Sequence, residues 1–315
     1  MEPQKPSLRC CTICPRNCGI DRIAGQMGFC HGSMLPKIAL VSTHHWEEPP
    51  ISGTKGSGTV FFCHCNLRCV FCQNYKISAE GFGKTVSIER LSEIFLNQQD
   101  KGVHNINLVS PTQFIVQIAS ALCLAKNNGL KIPVVYNSNG YESAEMLKIL
   151  NGLVDIYLPD FKYWDDEIAI AYSEAPRYAS IAAQAILEMR RQLPQDVFDT
   201  EGILQKGLLL RHLVLPSHFL DSFKILDWIK ASLGIDTYVS LLRQYTPMHQ
   251  ANTIKALSRR LTTFEYEKVT EYFLNIGLKN GFCQSKRSAA QEYTPIFNLA
   301  GVEKNSSNTK GENVW

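Results

Sequence analysis

The sequence lacks the features that mark secreted, membrane-spanning and polyanion-binding proteins. It begins with no apolar core of signal-peptide length, and its most apolar internal stretch, near residues 115–125, is interrupted by Gln117 and too short to cross a bilayer. Lysine and arginine number 32 against 29 acidic residues, without long blocks of either sign, so we expect neither nucleic acid nor a membrane as a partner. Internal repeats are also absent. We expect a soluble, cytoplasmic protein.

Cysteine, in contrast, is abundant and unevenly placed. Nine of the 11 cysteines lie between Cys10 and Cys72, whereas Cys123 and Cys283 are isolated. Such crowding predicts disulfides in a small secreted protein, but this chain has 315 residues, an odd number of cysteines and no export signal. We therefore expect the cysteines to bind a metal or an iron–sulfur cluster in a reducing compartment.

Composition divides the chain into three regions. Residues 1–50 carry five cysteines and little hydrophobic periodicity, which predicts a loop-rich, cysteine-rich module wrapped around a metal. Residues 51–302 alternate apolar runs with segments of helical length, which predicts one large domain. The polar residues 303–315 are expected to be disordered.

The central region predicts an α/β fold. Six apolar runs have the length of strands: GTVFF, NINLVS, IPVVY, LVDIYL, LLLRHLVL and DTYVSLL. Helices are predicted at residues 87–101, 112–128, 141–150, 165–192, 220–233 and 263–278. Alternation of apolar strands with helices predicts a parallel sheet covered by helices, and periodicity alone leaves open whether the sheet curls into a barrel.

A group of three cysteines directly follows the first predicted strand. Cys65, Cys69 and Cys72 have C-x3-C-x2-C spacing, which lets three thiolates from one loop bind one inorganic cluster. One iron of a four-iron cubane then lacks a protein ligand and can be chelated by the amine and carboxylate of an amino acid. The alternative is a structural zinc site completed by Cys63 or His64. The position at a strand end favours the cluster, because ligands and cofactors gather there in parallel α/β folds.

In its motifs the chain resembles the radical S-adenosylmethionine (SAM) superfamily and, within it, the pyruvate formate-lyase-activating enzyme-like proteins. The resemblance extends over nearly the whole chain and rests on the segments CTICPRNC, GSGTVFFCHCNLRCVFCQN, NLVSPTQF, YNSNGYE, VDIYLPDFKY, RHLVLP and QYTP. It implies a partial (β/α)6 TIM-like barrel of radical SAM type. It also implies a [4Fe-4S] cluster on the loop after the first strand, with SAM bound across the C-terminal ends of the strands.

The resemblance further implies a reaction. One electron from the reduced cluster would cleave SAM into methionine and a 5′-deoxyadenosyl radical, which would remove a hydrogen from a glycine Cα of a glycyl-radical enzyme. A flavodoxin- or ferredoxin-type protein would supply the electron. Two alternatives stay open: the same chemistry on another protein, a peptide or a small molecule, and a non-enzymatic iron–sulfur or zinc-binding protein with the same fold.

The resemblance assigns cofactor-binding roles residue by residue. Phe71, which precedes the third cysteine, is expected beside the adenine, and Asn74 follows in the same loop. Asp160 and Lys162 match an Asp-x-Lys pair at the end of the fourth strand and offer an acceptor for the SAM ammonium and a donor for its carboxylate. Arg211 matches a basic position on the fifth strand.

Side-chain alternation along this fifth strand places Arg211 and His212 on opposite faces. One of the two is therefore expected to face the cavity.

Two segments depart from the pattern of activating enzymes. Those proteins bind the SAM amino group through a Gly-Gly-Glu segment, but the corresponding residues here are Ser110-Pro111-Thr112. Residues 137–140 replace an Asp-Thr-Asn-Gly turn and are expected to line the ribose or methionine side of SAM. The candidate cofactor-binding residues in these segments are Ser110, Thr112, Asn137 and Asn139.

Two other groups attract attention. Cys11, Cys14, Cys18 and Cys30 are enough to close a tetrahedral site, with Cys10 as a spare, and either zinc or a second, fully ligated Fe–S cluster satisfies that count. The sequence HHWEE at residues 44–48 is followed by two prolines. Because neighbours on an extended segment point in opposite directions, we interpret it as a packing or barrel-mouth segment, not a metal site. Cys63 is interpreted as a buried thiol.

Overall fold

The structure is a computed structural model that describes residues 8–284 and 295–303. The tail predicted for residues 303–315 lies outside the described residues, except for Glu303. The elements in chain order are β1 (Lys37–His44), α1 (Pro49–Ser52), β2 (Ser57–Phe62), α2 (Tyr75–Ser78), β3 (Lys84–Thr85), α3 (Ile88–Asp100), β4 (Ile106–Val109), α4 (Ile115–Asn127), β5 (Val134–Ser138), α5 (Ala144–Leu147), β6 (Ile156–Pro159), α6 (Asp166–Ser173), α7 (Tyr178–Gln192), β7 (Val197–Phe198), β8 (Leu204–Leu213), α8 (Phe219–Leu233), β9 (Tyr238–Leu242), α9 (Thr263–Asn275) and β10 (Gly281–Cys283).

A parallel sheet forms the centre of the molecule. Its strands lie in the order β2, β4, β5, β6, β8, β9 and β10, and each neighbouring pair is parallel. Antiparallel pairings add β1 to β2, β3 to β1 and β7 to β8. The six predicted strands correspond to β2, β4, β5, β6, β8 and β9, and the predicted α/β fold of partial-barrel type is confirmed.

The apolar character of the strands follows from their burial on both faces. Every residue of β2 and of β5 is buried, as expected of parallel strands covered on one side by helices and on the other by the barrel interior. Aliphatic side chains of the helices, among them Leu91, Leu122 and Ile225, are completely buried in the main core. No helix in the described part of the chain is long and apolar enough to cross a bilayer.

The single helix predicted for residues 165–192 is wrong. The structure has two helices, α6 and α7, with residues 174–177 between them. Pro176 lacks a backbone N–H and disfavours a helical conformation of the preceding residue. Glu174 and Arg177 both take the left-handed conformation, with φ of 50° and 56°. The break lets α6 end at Ser173, which lies beside the cysteine loop.

Strand β1 brings a segment of the N-terminal region under the barrel. It runs antiparallel to β2, with His44 opposite Ser57, the first residue of β2. The chain therefore leaves β1 at the end of the sheet where the parallel strands begin. There Ile51 of α1 is completely buried against Val135 and Ile156, and its carbonyl accepts a hydrogen bond from Asn105 Nδ2 at 2.7 Å. We call residues 44–52 the floor segment.

The domain boundaries stay a prediction. The central sheet starts at Lys37, inside the range predicted for the cysteine-rich module.

Candidate active site

A cavity of about 750 Å³ occupies the barrel interior. Its upper wall comes from residues at or just beyond the C-terminal ends of β2, β4, β5, β6, β8 and β9, and its other wall comes from the floor segment. Ligands of barrels and of open parallel sheets bind at the C-terminal ends of the strands. The cavity is therefore the natural candidate for the active site.

The three cysteines of the C-x3-C-x2-C motif border this cavity. Each sulfur has one polar side chain beside it. The pairs are Cys65 Sγ with Asn139 Nδ2 at 3.3 Å, Cys69 Sγ with Ser173 Oγ at 3.0 Å and Cys72 Sγ with Ser78 Oγ at 3.2 Å. Hydrogen bonds to sulfur favour the thiolate, which is the form that ligates iron.

The electrostatics of the three thiols fit a cluster site. Burial raises the pKa of Cys65 to about 12 and that of Cys69 to about 11, and the neighbouring thiols add to both shifts while Lys162 opposes the shift of Cys69. Burial also raises the pKa of Cys72. Buried thiols that repel one another as anions need a cationic group to hold them deprotonated. An iron–sulfur cluster supplies such a group.

The Cys3His zinc site considered above is not assembled. Cys63 is completely buried and its thiol donates to the Phe82 carbonyl at 3.0 Å, and neither Cys63 nor His64 borders the cavity. Within residues 8–284 and 295–303, no three histidine, cysteine or acidic side chains are arranged to share one metal ion. The interpretation of Cys63 as a buried thiol is confirmed.

Asp160, Lys162 and Arg211 form a largely buried ionic group on the cavity wall, with side chains 14–17% exposed. Lys162 Nζ lies 2.5 Å from one oxygen of Asp160, and Arg211 Nε donates to the other at 2.9 Å. Burial alone would raise the pKa of Asp160, but the two cations outweigh it and lower that pKa. The structure thus brings together three predicted residues and holds Asp160 ionised.

The alternation predicted for β8 is confirmed. Arg211 faces the cavity. His212 faces the helix layer, where Nδ1 lies 2.7 Å from the Phe161 carbonyl and Nε2 lies 2.8 Å from Ser222 Oγ.

The other predicted cofactor residues divide into five that border the cavity and one that does not. The five are Phe71, Asn74, Ser110, Asn137 and Asn139. The exception is Thr112, which is buried away from the cavity and donates its hydroxyl to Glu142 Oε1. Thr112 is therefore in no position to contact a ligand in the cavity.

Ser110 has a second noteworthy property. It takes a left-handed backbone conformation with φ of 56°, which a glycine would adopt without strain. The serine thus keeps the backbone turn expected of a Gly-Gly-Glu segment without its glycine.

The segment QYTP carries part of the resemblance to the radical SAM superfamily, but no cofactor-binding role was predicted for its residues. Gln244, Tyr245 and Thr246 follow β9 and all border the cavity. The rings of Tyr245 and Phe71 meet edge to face with centroids 5.7 Å apart. This aromatic pair forms the apolar side of the cavity next to the cysteine loop.

Two carboxylates in the cavity were missed by the sequence analysis. Glu47 accepts from Arg211 Nη1 at 3.3 Å and from Asn107 Nδ2 at 3.2 Å, and Glu48 lies beside it in the cavity wall. Residues 44–48 were expected to pack or to lie at the barrel mouth, but Glu47 and Glu48 both line the cavity itself. The sequence feature that could have identified them is a pair of adjacent acidic residues directly before two prolines.

The N-terminal cysteines lie close to the barrel. Cys11, Cys14 and Cys30 are buried, Cys18 is partly exposed and Cys10 is exposed. Burial raises the pKa of Cys14 to about 12, and the nearby Cys30 and Cys11 raise it further.

A buried arginine joins this module to the barrel. Arg22 Nη2 lies 3.5 Å from Cys30 Sγ, and Nη1 donates to the Gln113 carbonyl at 2.6 Å. The side-chain amide of Gln113 in turn donates to the carbonyls of Cys63 and Ser110, at 2.9 and 2.8 Å. Arg22 and Gln113 thus connect the cysteine-rich module to the loops that carry the candidate site.

Comparison with known proteins agrees with this geometry. The family model of the Radical SAM superfamily matches residues 59–200, a range that holds the cysteine motif, Asp160 and Lys162. The chain belongs to the radical SAM superfamily. This radical SAM protein is 33% identical over 285 residues to the uncharacterized protein MJ0674 of Methanocaldococcus jannaschii, a match that covers 86% of this chain and 76% of the relative. It is 26% identical over 157 residues to MJ0808 of the same organism, a match that covers 44% of this chain and 46% of that relative.

Solved structures match this chain at low sequence identity and with TM-scores below 0.5. SuiB of Streptococcus suis matches with a TM-score of 0.49 and 12% identity, over 71% of this radical SAM protein and 47% of SuiB. HydG, a maturase of the [FeFe]-hydrogenase, matches with a TM-score of 0.49 and 12% identity, over 71% of this chain and 50% of HydG. The protein anSMEcpe with bound AdoMet matches with a TM-score of 0.45 and 13% identity, over 69% of this chain and 61% of that chain. The chain thus spans about half the length of the first two structures.

Proposed function

We propose that this radical SAM protein binds a [4Fe-4S] cluster through Cys65, Cys69 and Cys72 and cleaves SAM reductively. The observation that carries the proposal is that three thiols from one loop and the Asp160–Lys162–Arg211 group line the same cavity. When bound, the cluster and SAM supply a 5′-deoxyadenosyl radical that abstracts hydrogen from unactivated carbon.

The residues around the thiols orient them and moderate their charge. Asn139, Ser173 and Ser78 each place a polar group within hydrogen-bond reach of one sulfur, and such contacts fix ligand orientation and tune a cluster's electronics. Because the three side chains come from β5, α6 and α2, the loop is held from several sides.

Asp160 and Lys162 are proposed to bind the amino-acid end of SAM. Each oxygen of Asp160 already accepts one hydrogen bond and has a second lone pair for the SAM ammonium. The ammonium of Lys162 has donors left for the SAM carboxylate. Phe71 and Tyr245 exclude water beside the loop, which protects a reactive radical.

The proposed substrate is a glycine Cα in a partner glycyl-radical enzyme, with a flavodoxin- or ferredoxin-type protein as the electron donor. The support is the series of motifs shared with pyruvate formate-lyase-activating enzyme-like proteins. Another protein, a peptide or a small molecule is the alternative, favoured by the Ser110-Pro111-Thr112 segment in place of Gly-Gly-Glu.

Release of 5′-deoxyadenosine tests the SAM cleavage. Anaerobically reconstituted, reduced protein should release it from SAM without any substrate, and Cys69→Ala should release none and hold less iron. Cys123→Ala is the matched control, because Cys123 is exposed on α4. Wild-type protein that holds a complete cluster and releases no 5′-deoxyadenosine would contradict the proposal.

A glycyl radical tests the proposed substrate. Incubation with SAM, reductant and a glycyl-radical enzyme should give a doublet in electron paramagnetic resonance. Continued release of 5′-deoxyadenosine with no doublet from any of several such enzymes would leave the cleavage proposal intact and overturn the proposed substrate.

We also propose that Cys11, Cys14, Cys18 and Cys30 bind zinc or a second cluster. The support is that Cys11, Cys14 and Cys30 are buried in a segment that has few other buried side chains. Their side chains, like the others among the described residues, are not already arranged around one metal ion, so binding would draw the thiolates together.

A further inference from the structure

Glu48 is a buried carboxylate with an unsatisfied oxygen. The residue is 7% exposed and lines the cavity, and its Oε2 has no hydrogen-bond partner among residues 8–284 and 295–303. Although Glu48 is the N-cap residue of α1, its side chain makes no capping hydrogen bond. A buried carboxylate oxygen without a donor is costly, so a donor from a bound ligand would stabilise it.

Ser240 supplies a second unsatisfied group on the same wall. Its side chain is buried and borders the cavity, and its Oγ also has no partner within the described part of the chain. Ser240 lies on β9 directly beside Arg211 of β8. Burial and the neighbouring Glu47 raise the pKa of Glu48, whereas Arg211 and the Ser240 hydroxyl lower it; this hydroxyl approaches the carboxylate without forming a well-aligned hydrogen bond.

Carboxylates outnumber cations around Arg211. Glu47, Glu48 and Asp160 all act on its charge, and Lys162 adds one more cation next to Asp160. Arg211 forms ion pairs with Glu47 and Asp160, whereas no ion pair of Glu48 occurs among the described residues. With all three carboxylates ionised, the group would hold one negative charge more than it has cations, and burial together with this excess raises the pKa of Glu47 and Glu48. Among the described residues, Glu48 is the carboxylate of the three that no cation contacts.

Glu48 enters the cavity from the end opposite to the cysteine loop. The floor segment leaves β1 beside the first residue of β2, whereas Cys65 follows the last. The six residues of β2 separate these ends by about 16 Å, at about 3.3 Å per residue. Arg211 lies between the floor segment and the proposed SAM site, because it pairs with Glu47 on one side and with Asp160 on the other. A group bound at Glu48 would therefore lie across Arg211 from the SAM ammonium.

We propose that Glu48, together with Ser240, binds an ammonium or guanidinium group of the substrate at the cavity floor. The inference rests on the proposed function and narrows its substrate class: the molecule or side chain that enters the cavity carries a positive charge. A cation donates to the free oxygen and favours the ionised carboxylate, whereas a neutral donor supplies only an ordinary hydrogen bond and an acidic group adds like charge. In a protein partner, this group is a lysine or arginine side chain.

A pair of matched small molecules tests the proposal without turnover. n-Butylguanidinium and its neutral analogue n-butylurea are titrated by calorimetry into anaerobic protein that holds its cluster and SAM. Wild-type protein should bind the cation about ten-fold tighter than the urea, because a charge-assisted hydrogen bond is added. Glu48→Gln should reduce this preference to less than about two-fold, and Ser240→Ala should weaken it to a smaller extent.

The affinity for SAM shows whether Glu48 binds the ammonium of SAM or a cation of the substrate. If Glu48→Gln loses SAM affinity and keeps its preference for n-butylguanidinium, Glu48 serves the SAM ammonium and the proposal is overturned. Equal binding of the two molecules by the wild type also overturns it, and this comparison does not depend on the folding of any variant. Glu89→Gln on the exposed face of α3 is the control and should change neither affinity.

Release of 5′-deoxyadenosine is measured in the same samples. Its absence in the wild type would contradict the proposed SAM cleavage, while the binding comparison would still decide the role of Glu48.

Discussion

The side-chain amide of Asn139 donates a hydrogen bond to the sulfur of Cys65 over 3.3 Å. The same amide donates to the Asn66 side chain at 2.7 Å, and the Asn139 carbonyl accepts from the Tyr178 hydroxyl at 2.7 Å. The end of β5 is thereby fixed to the cysteine loop and to α7. A residue that the resemblance assigns to SAM thus also contacts a proposed cluster ligand.

Replacing Asn139 by alanine should lower the reduction potential of the cluster. A donor to sulfur stabilises the reduced, more negative state, so its loss should shift the potential negative by roughly 40 mV for a hydrogen bond that contributes about 1 kcal/mol. Redox titration followed by electron paramagnetic resonance measures the shift. As a control, Asn127→Ala at the exposed end of α4 should leave the potential unchanged. An unchanged potential in Asn139→Ala would show that Asn139 does not tune the cluster.

Asp160→Asn should weaken SAM binding. The amide keeps the shape of the side chain but loses the negative charge that is proposed to face the SAM ammonium, which predicts an affinity lower by about ten-fold. Calorimetry on the reconstituted protein measures this. Asp166→Asn, an exposed substitution on α6, is the control, and equal affinity in both variants would exclude the proposed contact.

Arg211→Met should destabilise the protein strongly. It leaves Glu47 and Asp160 buried without this partner, and removal of one member of a buried ion pair costs about 3–5 kcal/mol. Urea denaturation gives the change in the free energy of unfolding. Arg191→Met breaks an ion pair with Glu188 in which the arginine side chain is 61% exposed, so it should cost far less, because solvent screens exposed ion pairs. Similar losses in the two variants would show that the Arg211 group is not effectively buried.

Glu142 should make stability depend on pH. Burial raises its pKa from 4.5 to about 7, although Thr112, Ser138 and Tyr136 donate to it. The native state therefore holds a proton that the unfolded state loses near pH 4.5, and this contribution of about 3 kcal/mol is present below pH 4.5 and lost as pH rises to about 7.

Urea unfolding at several pH values between 4.5 and 8 measures this contribution. Glu142→Gln cannot titrate, so the difference between its stability and that of the wild type should change across this range and stay constant above pH 8. A difference that does not vary with pH would show that Glu142 has an ordinary pKa.

The N-terminal cysteines should retain metal when the cluster motif is removed. A variant with Cys65, Cys69 and Cys72 changed to alanine should still contain zinc or iron, because the second group of thiols is intact. Adding Cys14→Ser should abolish this metal, whereas adding Cys10→Ser should not, because Cys10 is exposed. Elemental analysis measures the zinc and iron content of each variant. A triple variant that contains neither metal would contradict the proposed N-terminal metal site.

Residues that act through local spacing could be predicted from the sequence. Cys65, Cys69 and Cys72 lie on one loop, and Asp160 and Lys162 follow one strand, so a few intervening residues determine their proximity. Strand alternation likewise separated Arg211 from His212. The six parallel strands were predictable because burial on both faces makes each of them a continuous apolar run.

Features that depend on pairing between distant segments could not be predicted in this way. β1 joins the parallel sheet through its antiparallel contact with β2, and the chain that leaves β1 brings Glu47 and Glu48 into the cavity. Thr112 closely follows β4, the second predicted strand, and the use of its hydroxyl by Glu142 depends on how the loop after β5 folds back. The helix break at Pro176 was, by contrast, a local signal that the helical periodicity around it concealed.

The floor segment has an evolutionary consequence. It precedes residue 59, where the match to the superfamily begins, so the two ends of the reaction chamber are encoded in separate stretches of the gene. Under the proposed role of Glu48, substitutions in the floor segment would change which substrate binds and leave the family-matched residues 59–200 unaltered.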